Sequence, residues 1–453
     1  MKRSSKAKQA KTFPPIDNDT GNESEEKPTV PTVDTKTKLR SLKTRTISSV
    51  ALIASFVGFI YAGHVPLMFL ILILQTLVAN ELFKLSRVAT QEKKVPYYRL
   101  QKYLPWYFFF VAIFWLHLRF IHHNLLLELS SDRRFARAFF WLVKHHELIS
   151  YVMYMGGFIL FVLSLRRGRY LYQFGQFAWT HMVLLVTTAP SSFFVSNIFK
   201  GIIWYILPSF LVIANDICAY LAGIMFGKTP LIRLSPKKTV EGFVGGLVGT
   251  AAVALVLADV LSRSQWMVCP RHDLTVFGPL TCVPDEVFIP RLYHLAALIP
   301  ASLNALLSAS ALPLLAAVPS FTFMIRPIQI HAVALAVFAS LIAPFGGFFA
   351  SGFKRALGIK DFGDTIPGHG GLTDRFDCQV IIAIFSHAYY KSYIATPVIS
   401  LAGVLTSALA LGVADQKKLL AAVANVLASD GNLPSPLVDS IVAAAAAVND
   451  SSF

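Results

Sequence analysis

The stretch Ile202-Ile-Trp-Tyr-Ile-Leu-Pro-Ser-Phe-Leu-Val-Ile-Ala-Asn-Asp-Ile-Cys-Ala-Tyr-Leu-Ala-Gly-Ile-Met-Phe226 is a long apolar run that carries one carboxylate, Asp216. A helix needs about 20 mostly apolar residues to cross a bilayer, so this run predicts a transmembrane helix. Burying an unpaired carboxylate at that depth costs about 3 kcal/mol or more. Asp216 therefore belongs either to a functional polar site or to a structural pair with a neighbouring Lys or Asn.

The composition of the whole chain also indicates a membrane protein. Hydrophobic residues make up 55% of the chain and charged residues only 15%, which is too little polar surface for a soluble protein of 453 residues. We predict an all-α, polytopic membrane protein with roughly nine transmembrane helices and a polar active-site cavity that opens to the cytosol. The predicted spans are two within Ser48–Leu82, then Pro105–Leu118, Ile149–Leu165, Phe177–Val186, Ile202–Phe226, Val240–Leu261, Ile330–Ala350 and Cys378–Ile394.

Three regions of different composition divide the chain. Residues 1–45 are polar and basic, which predicts a disordered tail, and basic residues directly before the first span predict that this tail is cytosolic. Residues 46–396 form the predicted polytopic domain. Residues 397–453 are rich in Ala and predict an amphipathic or flexible end.

The segment 263–328 is predicted to be a lumenal loop, although its part Leu292–Val318 is apolar enough to resemble a span. If the basic loop Lys228–Lys238 and the loop after Ser351 bind one ligand together, they must face the same side of the membrane. Two crossings between these loops meet that demand and a third would not. We therefore predict that Leu292–Val318 does not cross completely.

The segment Ser351–Asp377, called the signature segment below, concentrates bases, carboxylates and glycines between two apolar runs. Basic side chains of this kind neutralise phosphate oxygens, and carboxylates are the hard ligands that magnesium prefers. The candidate phosphate-binding residues are Lys354, Arg355, Lys360 and Arg375, and the candidate metal ligands are Asp361, Asp374 and Asp377, with Asp216 from the earlier span. If a helix begins near Thr373, Asp374 and Asp377 share one face.

Glycines at positions 368, 370 and 371 permit tight turns and a close approach to a ligand. His369 lies between two of them, so it either contacts a phosphate or lipid or serves a structural role. Upstream, Lys237 and Lys238 precede the Val240 span, with Thr239 as a candidate N-cap. A helix N-terminus beside two lysines predicts either an anion site or a positively charged flank that only sets topology.

The net charge and the cysteines indicate which ligands and sites the protein can have. The formal charge of +16 lies in the tail and loops, and in a membrane protein this favours lipids and nucleotides over nucleic acid. None of the four cysteines forms a Cys-x-x-Cys pair, which argues against a zinc or redox site. Cys269 and Cys282 flank one polar loop and are predicted to pair if that loop faces an oxidising lumen.

The signature segment resembles the pattern of the phosphatidate cytidylyltransferases, or CDP-diacylglycerol synthases. The fixed positions of that pattern are met by Ser351, Lys354, Arg355, Lys360, Asp361, Pro367, His369, Gly370, Gly371, Asp374, Arg375 and Asp377. The resemblance extends upstream through Asn215–Tyr220 and Leu234–Gly242 and covers roughly Thr46 to Lys391.

The resemblance implies the reaction of CTP with phosphatidic acid to give CDP-diacylglycerol and pyrophosphate, with Mg²⁺ as cofactor. It implies that Asp216 lies near the catalytic centre, that Lys237 and Lys238 bind phosphate, and that Ser351, Gly370 and Gly371 help to bind substrate. It is closest to the eukaryotic branch, which implies the endoplasmic reticulum and a possible homodimer. Two rival hypotheses are a CTP-dependent polyprenol kinase and, in a different class, a membrane ion or anion transporter.

Overall fold

The computed structural model describes residues 35–91, 99–125, 139, 141–232, 235–271, 280–294, 322–368, 370–395, 401–409, 411–431 and 433–447. In these ranges the chain is almost entirely helical. The helices are α1 (Thr35–Ala62), α2 (His64–Gln91), α3 (Arg99–Leu125), α4 (His146–Leu163), α5 (Tyr170–Phe199), α6 (Ile203–Phe226), α7 (Val240–Ser262), α8 (Gln265–Val268), α9 (Pro327–Leu341), α10 (Pro344–Ala356), α11 (Thr373–Tyr389), α12 (Leu401–Leu409), α13 (Val413–Ser429) and α14 (Ser435–Ala447).

Two antiparallel hairpins complete the described secondary structure. Strands β1 (Pro230–Ile232) and β2 (Ser235–Thr239) connect α6 to α7. Strands β3 (Arg291–His294) and β4 (Thr322–Ile325) pair in register from Arg291 opposite Ile325 to His294 opposite Thr322. Most of the segment Leu292–Val318, which was predicted not to cross the membrane, lies outside the described residues. The strands before and after the undescribed part, β3 and β4, pair with each other.

The prediction of an all-α polytopic membrane protein is confirmed. Among the described residues, eight segments are long and apolar enough to cross a bilayer: Arg45–Ala62, His64–Ser86, Lys102–Ile121, His146–Leu163, Tyr170–Phe199, Ile203–Phe226, Val240–Ser262 and Pro327–Ala356. The ninth predicted span, Cys378–Ile394, corresponds to the 17-residue helix α11 and the five-residue π-helical turn Tyr390–Ile394 that continues it.

Helix α5 differs most from the predicted boundaries, because the expected span Phe177–Val186 is only the middle of a 30-residue helix. Its Thr and Ser side chains lower the apparent hydropathy, yet they bond within the helix and so leave few polar groups to satisfy. Thr187 Oγ1 donates to Val183 O at 2.7 Å, and Ser191 Oγ donates to Thr188 O at 2.8 Å. Hydroxyl groups bonded in this way are compatible with a membrane helix.

Two other boundaries also differ from expectation. The single predicted span Ile330–Ala350 is one segment long enough to cross the membrane but contains two helices, α9 and α10, and Pro344, which has no N–H to donate to the preceding turn, stands at the first position of α10. Helix α1 begins at Thr35, inside the segment expected to be disordered, since the Lys, Leu and Arg residues that precede the span favour helix. Residues 1–34 lie outside the described part of the chain.

Small residues bring α6 and α7 into close contact. Gly242 and Gly246 lie one turn apart on α7, and a Cβ on Gly246 would lie only 2.8 Å from Asn215 Oδ1 and 3.0 Å from Ala219 Cβ on α6. Small residues every four positions allow membrane helices to approach, since lipid tails provide no hydrophobic force between helices. The buried stripe continues along α7 through Thr250, Ala254 and Ala258, and it holds Asp216 in place beside the start of α7.

A disulfide joins Cys269 and Cys282, as predicted, with their Cα atoms 5.7 Å apart. It lies at the end of the bundle where α7 finishes and α6 begins. Arg271 N donates to Phe199 O at 2.9 Å, and a Cβ on Gly201 would lie 2.9 Å from Val268 O, so this loop packs directly on the start of α6. The loop is therefore a helix length away from the β1–β2 hairpin at the other end of α7.

Candidate active site

The signature segment folds into the last turns of α10, a glycine-rich loop over residues 357–372, and the first turns of α11. Gly358, Gly368 and Gly370 have φ values of 66°, 78° and 82°, which side chains other than glycine rarely adopt. An isolated bridge between Ile366 and Gly370 closes the turn. The loop thus folds back so that both of its ends lie at the start of α11. His369 lies outside the described residues, so its predicted contact to phosphate or lipid stays a prediction.

Lys354 and Asp374 form the central ion pair of this segment. Lys354 Nζ lies 2.5 Å from Asp374 Oδ1, and the two side chains are 19% and 12% exposed. Asp374 Oδ2 accepts a hydrogen bond from Phe362 N at 3.0 Å, and Lys354 Nζ lies 5.5 Å from the centre of the Phe362 ring. Asp374 therefore connects α10, the loop and α11, and both of its carboxylate oxygens already have donors.

Asp377 follows one turn later on α11 and faces α10. A Cβ on Gly347 would lie 3.5 Å from Asp377 Oδ2, so α10 presents bare backbone where the carboxylate lies. Asp377 Oδ1 accepts from Cys378 N at 2.7 Å. The charges of Asp216 and Lys354 both act on Asp377, which shows that the span and the signature segment converge at this point.

Asp216 lies on the wall of a cavity of about 470 Å³ between α6, the β1–β2 hairpin, the start of α7 and α10. The cavity lining includes the polar residues Asn215, Ser235, Lys238 and Thr239. Asp216 interacts electrostatically with Lys238 and Arg375. An acidic residue in a membrane helix is tolerable when it faces such a cavity. That this is an active-site cavity open to the cytosol stays a prediction.

The β1–β2 hairpin holds Lys238 over this cavity. Lys238 Nζ lies 4.7 Å from the centre of the Phe348 ring on α10. Thr239 Oγ1 accepts from Gly242 N at 3.2 Å, which confirms its prediction as the N-cap of α7. Glu241, in the first turn of α7, fixes the residues that precede β1 at the same end of the hairpin, accepting from Thr229 Oγ1 at 2.7 Å and from Lys228 N at 3.0 Å. The basic loop and the signature segment therefore meet at one end of the bundle, as predicted.

The other predicted residues occupy the rim of this arrangement. Arg355, Lys360 and Asp361 are exposed, and a Cβ on Gly370 would lie 3.5 Å from Asp361 Cγ. Ser351 Oγ donates to Gly347 O at 2.7 Å within its own helix. The side chain of Lys237 lies outside the described residues. The substrate-binding roles of these residues stay predictions.

Sequence reasoning missed Glu81, a buried carboxylate on α2 that accepts hydrogen bonds from Leu372 N at 2.8 Å and Thr373 N at 2.9 Å. A signal was available, because Glu81 follows closely on an apolar run, where an acidic residue is a functional candidate by the argument used for Asp216. Glu81 is the second-last residue of the predicted region Ser48–Leu82, near the cytosol-facing end of the second span, where acidic residues at the membrane surface are common.

The carboxylates near the cavity can be compared with what magnesium requires. Among the described residues, no three Asp, Glu, His or Cys side chains gather as a metal cage. Magnesium usually takes one or two carboxylates and completes its shell with substrate phosphates and water. Asp216, on the cavity wall, and Asp377, close enough for the two charges to interact, fit that donor set. The oxygens of Asp374 are engaged by Lys354 and Phe362 instead.

Comparison with known proteins agrees with this geometry. A model of the Cytidylyltransferase family matches residues 43–393, which include all the site residues described above. Phosphatidate cytidylyltransferase 1 of Arabidopsis thaliana is 45% identical over 373 residues, covering 82% of this chain and 84% of the relative. The human phosphatidate cytidylyltransferase 1 is 41% identical over 356 residues, covering 78% and 72%. The Saccharomyces cerevisiae phosphatidate cytidylyltransferase is 39% identical over 374 residues, covering 81% and 76%.

Proposed function

The chain belongs to the cytidylyltransferase family, and we propose that it is a phosphatidate cytidylyltransferase that makes CDP-diacylglycerol and pyrophosphate from CTP and phosphatidic acid. The observation that carries this proposal is that Asp216, on the cavity wall, interacts electrostatically with Lys238, Arg375 and Asp377, and Asp377 in turn with Lys354. The kinase and transporter hypotheses are not favoured, because the relatives named above are all phosphatidate cytidylyltransferases.

The reaction joins two anions. A phosphate oxygen of phosphatidic acid attacks the α-phosphorus of CTP, forming a new P–O bond, while the bond from that phosphorus to the bridging oxygen of the β-phosphate breaks. The electron pair leaves with pyrophosphate, and no proton needs to be removed from the nucleophile, since the phosphate is already anionic near neutral pH. Catalysis therefore consists mainly of neutralising and aligning the phosphates.

Basic side chains on different elements carry out this neutralisation. Lys238 approaches from the hairpin, whereas Lys354 and Arg375 approach from α10 and α11. Asp374 fixes Lys354, so one ammonium group has a defined position before substrate binds. A charged group that is already in position costs less reorganisation free energy when the transition state forms. The acyl chains can remain in the bilayer while the lipid phosphate enters the cavity beside Asp216.

We assign Mg²⁺ to Asp216 and Asp377. When bound there, the ion would neutralise the triphosphate and the departing pyrophosphate. The two carboxylates would hold it from α6 and α11. The predicted metal roles of Asp361 and Asp374 receive less support from this geometry.

We place the site on the cytosolic face of the endoplasmic reticulum membrane. The Cys269–Cys282 disulfide lies at the opposite end of α7 from the hairpin, and disulfides persist in oxidising compartments such as the lumen. The basic residues before α1 also favour a cytosolic N-terminus. A homodimer stays a prediction that mass measurement of single particles in lipid nanodiscs can check.

The direct test uses protein purified in phosphatidate-containing nanodiscs, with CTP and MgCl₂, and measures CDP-diacylglycerol. We expect product from wild type and a loss of about 100-fold or more in Asp377→Asn, the scale of removing a charged group that stabilises the transition state. Asp439→Asn, an exposed carboxylate on α14, is the matched control and should keep full activity. Folded wild type that forms no product would overturn the proposed function, and an active Asp377→Asn variant would overturn only the metal assignment.

A further inference from the structure

Glu81 is a buried carboxylate that reaches from α2 into the signature segment. Glu81 is only 3% exposed to solvent. It accepts hydrogen bonds from Thr365 Oγ1, from Leu372 N at 2.8 Å, from Thr373 N at 2.9 Å and from Thr373 Oγ1 at 2.7 Å. The carboxylate thus holds both the middle of the glycine-rich loop and its junction with α11.

The loop is shaped to admit this carboxylate. A Cβ on Gly363 would lie 3.0 Å from Glu81 Oε1, and a Cβ on Gly371 would lie 3.3 Å from Glu81 Oε2. Glycine at these two positions lets the loop backbone close around the side chain. Because an ionised carboxylate offers about four lone-pair sites, the four donors saturate it.

This contact decides how α11 begins. The first backbone N–H groups of a helix have no partner within the helix and usually bind water, a capping side chain or an anion. Here Glu81, from a different helix, takes the N–H groups at the start of α11. These two N–H groups are therefore not available to a phosphate of the substrate, since a protein carboxylate already accepts from them.

The groups held by Glu81 are next to the reacting centre. Thr373 directly precedes Asp374, which binds Lys354 and Phe362 N, and Asp377 follows one turn later. Shifting the start of α11 would move Lys354 and Asp377 together. We propose that Glu81 is a positioning residue for nucleotidyl transfer, holding the loop and α11 so that the Lys354–Asp374 pair and Asp377 keep their positions near Asp216. This rests on the proposed function and on the role assigned to Asp377.

The first variant to test is Glu81→Gln, which keeps the size but replaces one acceptor oxygen by an NH₂ group facing donors. Changing a partner that orients metal ligands typically costs about 10- to 100-fold. We expect kcat to fall by at least about 10-fold by that measure, and the Mg²⁺ concentration for half-maximal rate to rise. The KM for phosphatidate should change less, because Glu81 does not contact the cavity.

The variant Thr365→Val tests whether Glu81 positions the loop or only stabilises the fold of the protein. It removes one of the four donors, and we expect a smaller loss of kcat. If the two residues act through one contact, the double variant Glu81→Gln/Thr365→Val should be no worse than Glu81→Gln alone. Glu147→Gln, which alters an exposed glutamate at the start of α4, should match wild type.

Hydrogen exchange supplies a readout that does not depend on activity. In Glu81→Gln, peptides containing Leu372 and Thr373 should exchange faster, whereas peptides from α7 should not change. If wild type forms no CDP-diacylglycerol, the proposed function fails, and this exchange experiment still decides whether Glu81 holds the loop.

The proposal is overturned if folded Glu81→Gln keeps the kcat and Mg²⁺ dependence of wild type. It is also overturned if the lost activity equals the lost folded fraction, because Glu81 would then act only in stability. Should Glu81→Gln not fold, Glu81→Asp and Thr365→Val are judged by the same two criteria, since each retains the charge on α2.

Discussion

Lys354 on α10 and Asp374 on α11 are joined by an ion pair of 2.5 Å in which both side chains are largely buried. The chain between them is the glycine-rich loop, so the pair closes the loop at its base. An ion pair in this setting is strongly destabilised when one partner is removed, because the remaining charge has no counter-ion. The position of Lys354 therefore depends on the carboxylate of Asp374.

Asp374→Asn should lower the rate of CDP-diacylglycerol formation by about 10- to 100-fold, the range seen when a supporting partner of an active-site group is lost. The neutral amide still accepts from Phe362 N but no longer neutralises Lys354. Asp415→Asn breaks an exposed pair with Lys418 of 3.3 Å, and it should cost less than about 1 kcal/mol and leave the rate unchanged. Equal rates for the two variants would contradict the role assigned to Asp374.

Gly246→Ala should reduce both stability and activity. The added Cβ would lie 2.8 Å from Asn215 Oδ1 and would push α6 away at the residue next to Asp216. Overpacking of this kind typically costs about 1–3 kcal/mol. Gly58→Ala on α1 is the matched control, because its Cβ would meet nothing within 4 Å. Thermal unfolding and CTP turnover measure the two effects, and a Gly246→Ala variant as active as Gly58→Ala would show that the α6–α7 contact does not position Asp216.

Removing the disulfide by Cys269→Ser/Cys282→Ser should lower thermal stability without abolishing turnover at low temperature. Closing a short loop stabilises a fold by about 2–4 kcal/mol, and this loop lies at the far end of the bundle from Asp216. Reducing agent should lower the Tm of wild type and leave that of the double variant unchanged. A double variant with wild-type Tm would show that the pair is not formed in the membrane-embedded protein.

Stability should also depend on pH through Lys200, which lies between α5 and α6. Burial, followed by the nearby charge of Lys391, lowers the pKa of Lys200 from 10.5 to about 8. Between these two values the unfolded chain binds the proton and the folded protein does not, so the free energy of unfolding rises with pH. Below about pH 8 both states are protonated and this gain is absent.

Lys200→Met should remove that contribution. We expect the Tm of wild type to rise relative to that of Lys200→Met when the pH is increased from 7.5 to 9.5, a range on the order of the pKa shift. Lys418→Met, at an exposed position on α13, controls for the loss of a lysine. A constant difference in Tm between wild type and Lys200→Met across this range would contradict the burial of the ammonium group.

The membrane class and the chemistry of the site were predictable from the chain alone. Apolar runs of bilayer length identify most spans, and an acidic residue within one of them identified Asp216, because both signals depend on local composition. Helix α5 was predicted too short, since its Thr and Ser residues lower the average hydropathy while their hydroxyls bond within the helix. The break between α9 and α10 had a local signal in Pro344 that the apolar composition outweighed.

The contacts of Glu81 show why part of the site could not be predicted, although its acidic side chain in an apolar run was a signal in the sequence. Its partners are nearly three hundred positions away in the chain, and hydrogen bonds over such a separation leave no pattern in spacing or composition. The roles of Asp374 and Asp377 also could not be separated in advance. Three residues apart on one helix, they are equivalent as metal ligands until neighbouring helices decide which carboxylate meets a lysine.

The sequence by itself determined that this is an α-helical membrane protein, that Cys269 and Cys282 can pair, and that phosphate-binding and metal-binding side chains crowd Ser351–Asp377. These properties follow from residue type and local order. Only the tertiary structure decided that Asp216 on α6 lies near Asp377 on α11, that Asp374 binds Lys354, and that Glu81 holds the start of α11. Those contacts depend on how closely the helices pack, which is set by small residues such as Gly246 acting between elements distant in the chain.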